Sequence, residues 1–107
     1  MKISEKERKL IAAKKIKAVI RWENIEEKTG DALFDVNGVV YTLVEKKYWA
    51  LHRIAGKRSR IDFGCVDVSS FRKLVGDLYG NYDVRVKDIV YDIIFKPHKR
   101  QMTLGGV

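Results

Sequence analysis

The chain has 107 residues, 46% of them hydrophobic, which suits one folded domain with its own core and excludes global disorder. A single cysteine, Cys65, excludes an internal disulfide framework and a zinc site built from several thiolates. The net charge of +8 favours a polyanionic partner, and no apolar run is long enough for a membrane span or a signal peptide. We therefore expect a cytoplasmic protein without a membrane partner.

The first 22 residues contain a helical pattern followed by a strand pattern. Ser4 can cap a helix, and acidic residues follow in the first turn, where the helix dipole favours carboxylates. This predicts a helix over residues 4–15. From 16 to 22 apolar residues largely alternate with charged ones, which favours a half-buried strand, although a helix that continues to Trp22 fits as well.

Residues 32–41 carry the sharpest local signal. Asn37-Gly38 supplies the two positive-φ positions of a type I′ turn, and β-branched and aromatic residues flank it on both sides. The segment is therefore predicted to be a β-hairpin.

The stretch after the hairpin fits two patterns. As strands, it forms a meander through 39–45, 48–54 and 60–66. As a helix, 43–55 has a capping box at its start and Gly56 at its end. The strand propensity of its aromatic residues favours the meander.

A second helix is predicted over 71–79, with capping residues before it and Gly80 after it. Beyond Gly80, residues 82–86 look like a strand, whereas the apolar positions of 86–94 also fit a helical stripe. Pro97 ends this last element.

The elements predict an α+β fold in one domain, residues 1–97, followed by a frayed tail, residues 98–107. The domain is expected to consist of an N-terminal helix, an antiparallel sheet of four or five strands around the hairpin, and the helix 71–79. A winged-helix arrangement is the alternative if 43–55 is helical.

The basic residues are concentrated in two stretches. Residues 1–22 hold eight Lys or Arg against two Glu, and 46–60 hold six with no acidic residue. Clustered cations release counterions when they neutralise phosphates, and interleaved aromatic rings can stack on bases. The sequence therefore predicts a small, non-enzymatic protein that binds DNA or RNA without a cofactor. The residues chosen for this interface are Lys14, Lys15, Lys17, Lys46, Trp49, Arg53, Lys57, Arg58 and Arg60.

A second interpretation uses Asp31, Glu45 and Lys47. Residues 5–47 contain, in order, a predicted helix that bears Glu, a predicted strand, Asp31, the hairpin turn and Glu45-Lys46-Lys47. This order resembles nucleases of the PD-(D/E)xK type, especially archaeal Holliday-junction resolvases. The resemblance implies that the two carboxylates bind Mg²⁺ and that Lys47 assists attack on a phosphodiester. Outside this resemblance, the His and Cys spacing predicts no metal site.

A third interpretation rests on size. A short, lysine-rich domain without an enzyme motif also suits an accessory protein of a phage or mobile element that inhibits a host defence complex. Its partner would then be a host protein or ribonucleoprotein, bound through a specific interface instead of general affinity for nucleic acid.

Overall fold

The computed structural model describes residues 1–80 and 88–98, without the side chains of residues 58 and 59. Four strands form one antiparallel sheet in the order β1-β4-β3-β2, with helices packed on it, so the predicted α+β class with an N-terminal helix is confirmed. In chain order the elements are α1 (Glu5–Ala12), β1 (Ala18–Arg21), β2 (Ala32–Val36), β3 (Val39–Ala50), α2 (Leu51–Gly56), a 3₁₀ helix (Arg58–Phe63), α3 (Val68–Tyr79) and β4 (Ile89–Pro97).

Helix α1 is shorter than the predicted 4–15 because both of its ends are capped. At the start, the Ser4 hydroxyl accepts from the Glu7 amide, and the Glu7 carboxylate accepts from the Ser4 amide. At the end, the amides of Lys14 and Lys15 donate back to the carbonyls of Ile11 and Leu10, with Lys14 at φ 59°. These two bonds are those of a Schellman motif, which stops the helix before the two lysines.

The hairpin prediction is confirmed. Asn37 and Gly38 have φ values of 54° and 83°, both positive as a type I′ turn requires. The Asp35 carboxylate accepts from the Gly38 amide across the turn at 2.9 Å. Strands β2 and β3 then pair from Val36 opposite Val39 outwards.

The predicted meander over 39–66 is wrong after residue 50. Strand β3 continues unbroken to Ala50, with a bulge between Leu43 and Glu45, and the chain then turns into α2 and the 3₁₀ helix. Helix forms there because Leu51, Ile54 and Ala55, at helical spacing, are all buried on one side. The helix is confined to Leu51–Gly56, so the condition for a winged-helix arrangement, a helical 43–55, is not met.

The second predicted helix is confirmed as α3, which Asp67 caps and Gly80 ends at φ 71°. The undecided last element is a strand, β4, that lies between β1 and β3. The predicted strand 82–86 and most of the predicted tail lie outside the described residues.

The sheet is the middle layer of the molecule, and each side carries its own hydrophobic cluster. On the first face, Val90 and Ile20 pack against α2, the 3₁₀ helix and α3. On the second face, Ile93 and Val19 pack against Ile11 of α1. Within the described part of the chain, no helix has the length and apolar character needed to cross a bilayer.

A buried ionic network joins α1, β1 and α3. The Glu7 carboxylate accepts two bonds from the Arg21 guanidinium, at 2.7 and 2.9 Å, and one from the Tyr79 hydroxyl at 2.8 Å. The Tyr79 oxygen in turn accepts from the amide of Ile20, on the outer side of β1. Three elements that are distant in sequence are therefore held by one carboxylate.

Candidate functional site

The two basic stretches of the sequence meet at the start of β1. The Lys17 amide donates to the Asp62 carbonyl in the 3₁₀ helix at 2.6 Å. Next to this contact, a Cβ on Gly64 would lie 2.6 Å from the Lys15 carbonyl oxygen, and Gly64 has φ 70°. Only glycine fits a position that has both features, so Gly64 permits the close approach of the two stretches.

Several cations surround this contact. One cleft of about 700 Å³ is lined by Lys57 and Arg60 together with Ile61 and Val66. A second cleft of about 660 Å³ shares Gly64 and Cys65 with the first, and is lined by lysines from the end of α1 and from α3. We refer to the cations of both clefts, with the adjacent Lys17, as the basic surface: Lys14, Lys15, Lys17, Lys57, Arg60 and Lys73.

Five of these six residues were chosen from the sequence, and Lys73 was missed. Lys73 lies in a helix whose other charged residues are Arg72 and Asp77, so no strong local excess of positive charge marks it. The second cleft also contains one acidic residue, Asp77. Within the basic surface, Arg60 is partly engaged, since its guanidinium donates to the Ala55 carbonyl at 3.2 Å.

The other predicted interface residues are not among those that line these two clefts. Lys46 donates to Asn24 and to the Ile25 carbonyl, both at 3.1 Å, on the second face of the sheet. Trp49 packs against the core of the first face, and the Lys47 ammonium lies 5.0 Å above its ring. Arg53 is exposed on α2, and the side chain of Arg58 lies outside the described residues.

The exposed aromatic residue of β3 is Tyr48, which sequence reasoning did not select. Its side chain is 62% exposed and rests on Tyr91 with ring centroids 4.5 Å apart. Both tyrosines lie on the second face, opposite Trp49, because neighbouring strand residues point to opposite sides.

Asp31, Glu45 and Lys47 have different structural surroundings. The Asp31 carboxylate accepts from the Lys28 amide at 2.8 Å and so closes a short turn. Glu45 and Lys47 stand on the first face, opposite Ile94 and Asp92 of β4. Within residues 1–80 and 88–98, no group of three Asp, Glu, His or Cys side chains is arranged to hold a metal ion.

The carboxylate next to Glu45 and Lys47 is that of Asp92, another residue that sequence reasoning missed. Asp92 is completely buried, and neither carboxylate oxygen has a hydrogen-bond partner within the described residues. Burial and, to a smaller extent, the Asp62 carboxylate raise the pKa of Asp92 to about 7, although Lys47 and Trp49 oppose the shift. The sequence does contain a sign that Asp92 is buried, because it is the one acidic residue inside the apolar run of 89–95.

Cys65 is buried between the two clefts. Burial raises the pKa of its thiol, with a smaller contribution from Asp67, so the reactive thiolate is disfavoured at neutral pH. The structure therefore gives no support to nucleophilic chemistry at Cys65.

No protein-family model, curated protein or solved structure matches this chain. Arguments about its function therefore depend on the charges, contacts and burial described above.

Proposed function

We propose that the protein binds DNA or RNA through the basic surface and does so without catalysing a reaction. The observation that carries the proposal is the contact between the loop at Lys15–Lys17 and the 3₁₀ helix. It brings together cations that are at least 40 positions apart in the sequence, and α3 adds Lys73 beside them. A concave arrangement of cations suits a phosphate backbone, which supplies most of the affinity in sequence-independent binding.

Exposed apolar residues lie within the same surface. Ile61 is 63% exposed and Val66 is 84% exposed, and both line the cleft that contains Lys57 and Arg60. Cations beside apolar side chains can neutralise phosphates while the apolar groups contact sugars or bases. We expect weak sequence preference and strong dependence on salt.

The test is a charge reversal with a matched control. The variant carries Lys15→Glu, Lys57→Glu and Lys73→Glu, and the control carries Lys2→Glu, Lys9→Glu and Lys28→Glu. All six lysines are exposed, and both triple variants change the net charge by the same amount. Fluorescence anisotropy with labelled single-stranded and duplex oligonucleotides is measured across a range of salt concentrations.

We expect the wild-type affinity to fall with salt at a log–log slope of about −0.7 to −0.9 per phosphate contacted. The basic-surface variant should bind at least tenfold more weakly and with a shallower slope, and the control should retain most of the affinity. Equal losses in both variants would show that net charge alone governs binding and would overturn the assignment of the surface. A protein captured from lysate that survives nuclease digestion would favour the protein-directed interpretation.

A metal-dependent nuclease is the second candidate, because Glu45 and Lys47 share one face of the sheet. It predicts cleavage of branched or duplex DNA in Mg²⁺ or Mn²⁺, lost in Glu45→Gln with oligonucleotide binding retained. Wild-type protein that cleaves neither substrate in either metal would overturn it.

A further inference from the structure

A third cleft lies beside the basic surface, at the end of the hydrophobic cluster on the second face of the sheet. Its volume is about 390 Å³, and it shares Lys14 with the second cleft. Most of its lining is apolar and comes from Ile11, Ile16, Tyr41, Phe95 and Pro97. A volume above about 300 Å³ with a mainly apolar lining is typical of a pocket for a small organic group. We refer to it as the apolar cleft.

Main-chain contacts fix the walls of the apolar cleft. The Phe95 amide donates to the Lys17 carbonyl at 3.1 Å, which joins the start of β1 to β4. Tyr41 of β3 pairs with Pro97 of β4, and the turn that ends α1 at Lys14 supplies the remaining wall. The shape of the cleft therefore follows from the pairing of the strands and from the end of a capped helix.

Tyr41 is an aromatic wall of the cleft, and two other rings hold its orientation. Phe34 stacks on it with ring centroids 5.4 Å apart, and Phe95 contacts it edge-on at 5.5 Å. Phe34 does not line the cleft, so it supports the Tyr41 ring from outside. The Tyr41 side chain is half-buried, which leaves part of the ring accessible. A ring that is already held in place loses little freedom when a planar base stacks on it.

Three lysines surround the apolar lining. Lys14, Lys17 and Lys96 are exposed, and among the described residues none of their ammonium groups has a hydrogen-bond or ion-pair partner. No acidic residue is among the described residues that line the cleft. Charge complementarity therefore favours a ligand that joins a planar apolar group to negative charge, and a nucleotide has both.

We propose that the apolar cleft holds one unpaired base of single-stranded DNA or RNA, with the phosphates beside that base bound by Lys14, Lys17 and Lys96. This inference rests on the proposed function, because Lys14 and Lys17 also belong to the basic surface. A strand that follows the basic surface passes directly into the cleft. A base in a duplex has to leave its partner and its stack before it can enter, and this is unfavourable. The protein should therefore prefer single strands to duplexes.

The experiment uses the full chain and a matched pair of variants. Tyr41→Ile removes the ring from the cleft and keeps a residue with high strand propensity. Tyr48→Ile, the control, removes a more exposed ring from the same strand outside the cleft. Anisotropy compares a single-stranded oligonucleotide with a duplex of the same length. We expect the wild type and Tyr48→Ile to bind the single strand more tightly than the duplex. Tyr41→Ile should bind the single strand about tenfold more weakly and the duplex with little change.

Two further measurements do not depend on the folding of Tyr41→Ile. A single strand that carries one 5-iodouracil is irradiated with the wild-type protein, and mass spectrometry should locate the crosslink at Tyr41. Lys96→Glu changes an exposed lysine at the edge of the cleft, and Lys2→Glu is its control on another exposed lysine. We expect severalfold weaker binding of the single strand in Lys96→Glu only.

The outcomes separate this inference from the proposed function. Duplex binding as tight as single-strand binding in the wild type would overturn the inference and leave the proposed function in place, whereas no binding to either would overturn both. A crosslink at Tyr48, or equal losses in Tyr48→Ile and Tyr41→Ile, would overturn the assignment to the cleft. Stoichiometric binding of a fatty acid that is lost in Tyr41→Ile, without a preference for single strands, would assign the cleft to a lipid anion in place of a base.

Discussion

The described part of the chain contains two buried carboxyl groups, Glu7 and Asp92, and they are supplied with partners in opposite ways. Glu7 accepts hydrogen bonds from the Ser4 amide, from the Arg21 guanidinium and from the Tyr79 hydroxyl. Asp92, which is equally inaccessible to solvent, accepts none within the described residues. Burial alone therefore does not determine the ionisation state of either group.

The two pKa shifts have opposite signs for this reason. Burial by itself would raise the pKa of Glu7, but hydrogen bonds from Arg21 and Ser4 outweigh it and hold the pKa below its ordinary value. At Asp92 burial and Asp62 both act upwards and dominate, so the pKa reaches about 7. Glu7 stabilises the fold above its unfolded pKa, and this contribution is lost as the pH falls. Asp92 favours the fold at low pH, and this contribution is lost as the pH rises from about 4 towards 7.

Glu7→Gln should have the largest effect. It leaves the half-buried Arg21 guanidinium without its counter-ion, and the loss of one partner from a buried pair costs about 3 kcal/mol. Urea denaturation at pH 7 measures the free energy of unfolding, with Glu5→Gln on the exposed side of α1 as the control. A loss no greater than that of the control would show that the network is not important for stability.

Asp92→Asn should have the opposite sign. At pH 8 the wild type must ionise a buried carboxyl group, whereas Asn avoids that cost but remains a buried polar group. We expect the free energy of unfolding to rise by about 2 kcal/mol at pH 8 and by much less at pH 4. The measurement is urea denaturation at both pH values. A destabilisation that is equal at the two would contradict the raised pKa.

Tyr79→Phe should produce a smaller loss. It removes the hydroxyl that donates to Glu7 and accepts from the Ile20 amide, which leaves two polar groups short of one bond each. We expect a loss of about 1 kcal/mol in the free energy of unfolding. Amide hydrogen exchange provides the sharper measurement, because the Ile20 amide should exchange faster while that of Ile93, inside the sheet, should not.

Asp62→Asn should have the smallest effect on stability. It removes a charge that raises the pKa of Asp92, so the loss of stability with rising pH should be smaller and should be complete at a lower pH. The gain at neutral pH should be about 0.5 kcal/mol, since Asp62 is half-buried and partly screened by solvent. An unchanged pH profile would mean that Asp62 and Asp92 do not interact.

The features that were predictable from the sequence are those with local causes. The Asn37-Gly38 turn, the Ser4 cap and the end of α3 at Gly80 all depend on a few consecutive residues. The change from strand to helix after Ala50 was not predictable in this way. Tyr48 and Trp49 have strand propensity, and only burial of Leu51 and Ile54 against α3 and the sheet makes a helix favourable there.

The candidate sites depend on register and on contacts between distant segments. The excess of cations was visible in the sequence, but the contact between Lys15 and Gly64 was not, and neither was the position of Lys73. Glu45 and Lys47 were selected with Asp31, whereas their neighbour is Asp92, because β3 pairs with β4 at this level. The alternation of apolar and polar residues predicts that a segment is a strand, but it does not predict which strands are neighbours in the sheet.

The bond between the Tyr79 hydroxyl and the Ile20 amide has a consequence for association between copies of the chain. Strand β1 is an outer strand of the sheet, and an outer strand with free amides is a template on which another chain can add by β-pairing. Tyr79 occupies the amide of Ile20, so one donor on this margin already has a partner within the same molecule. The network around Glu7 therefore also makes β1 a less complete template for such pairing.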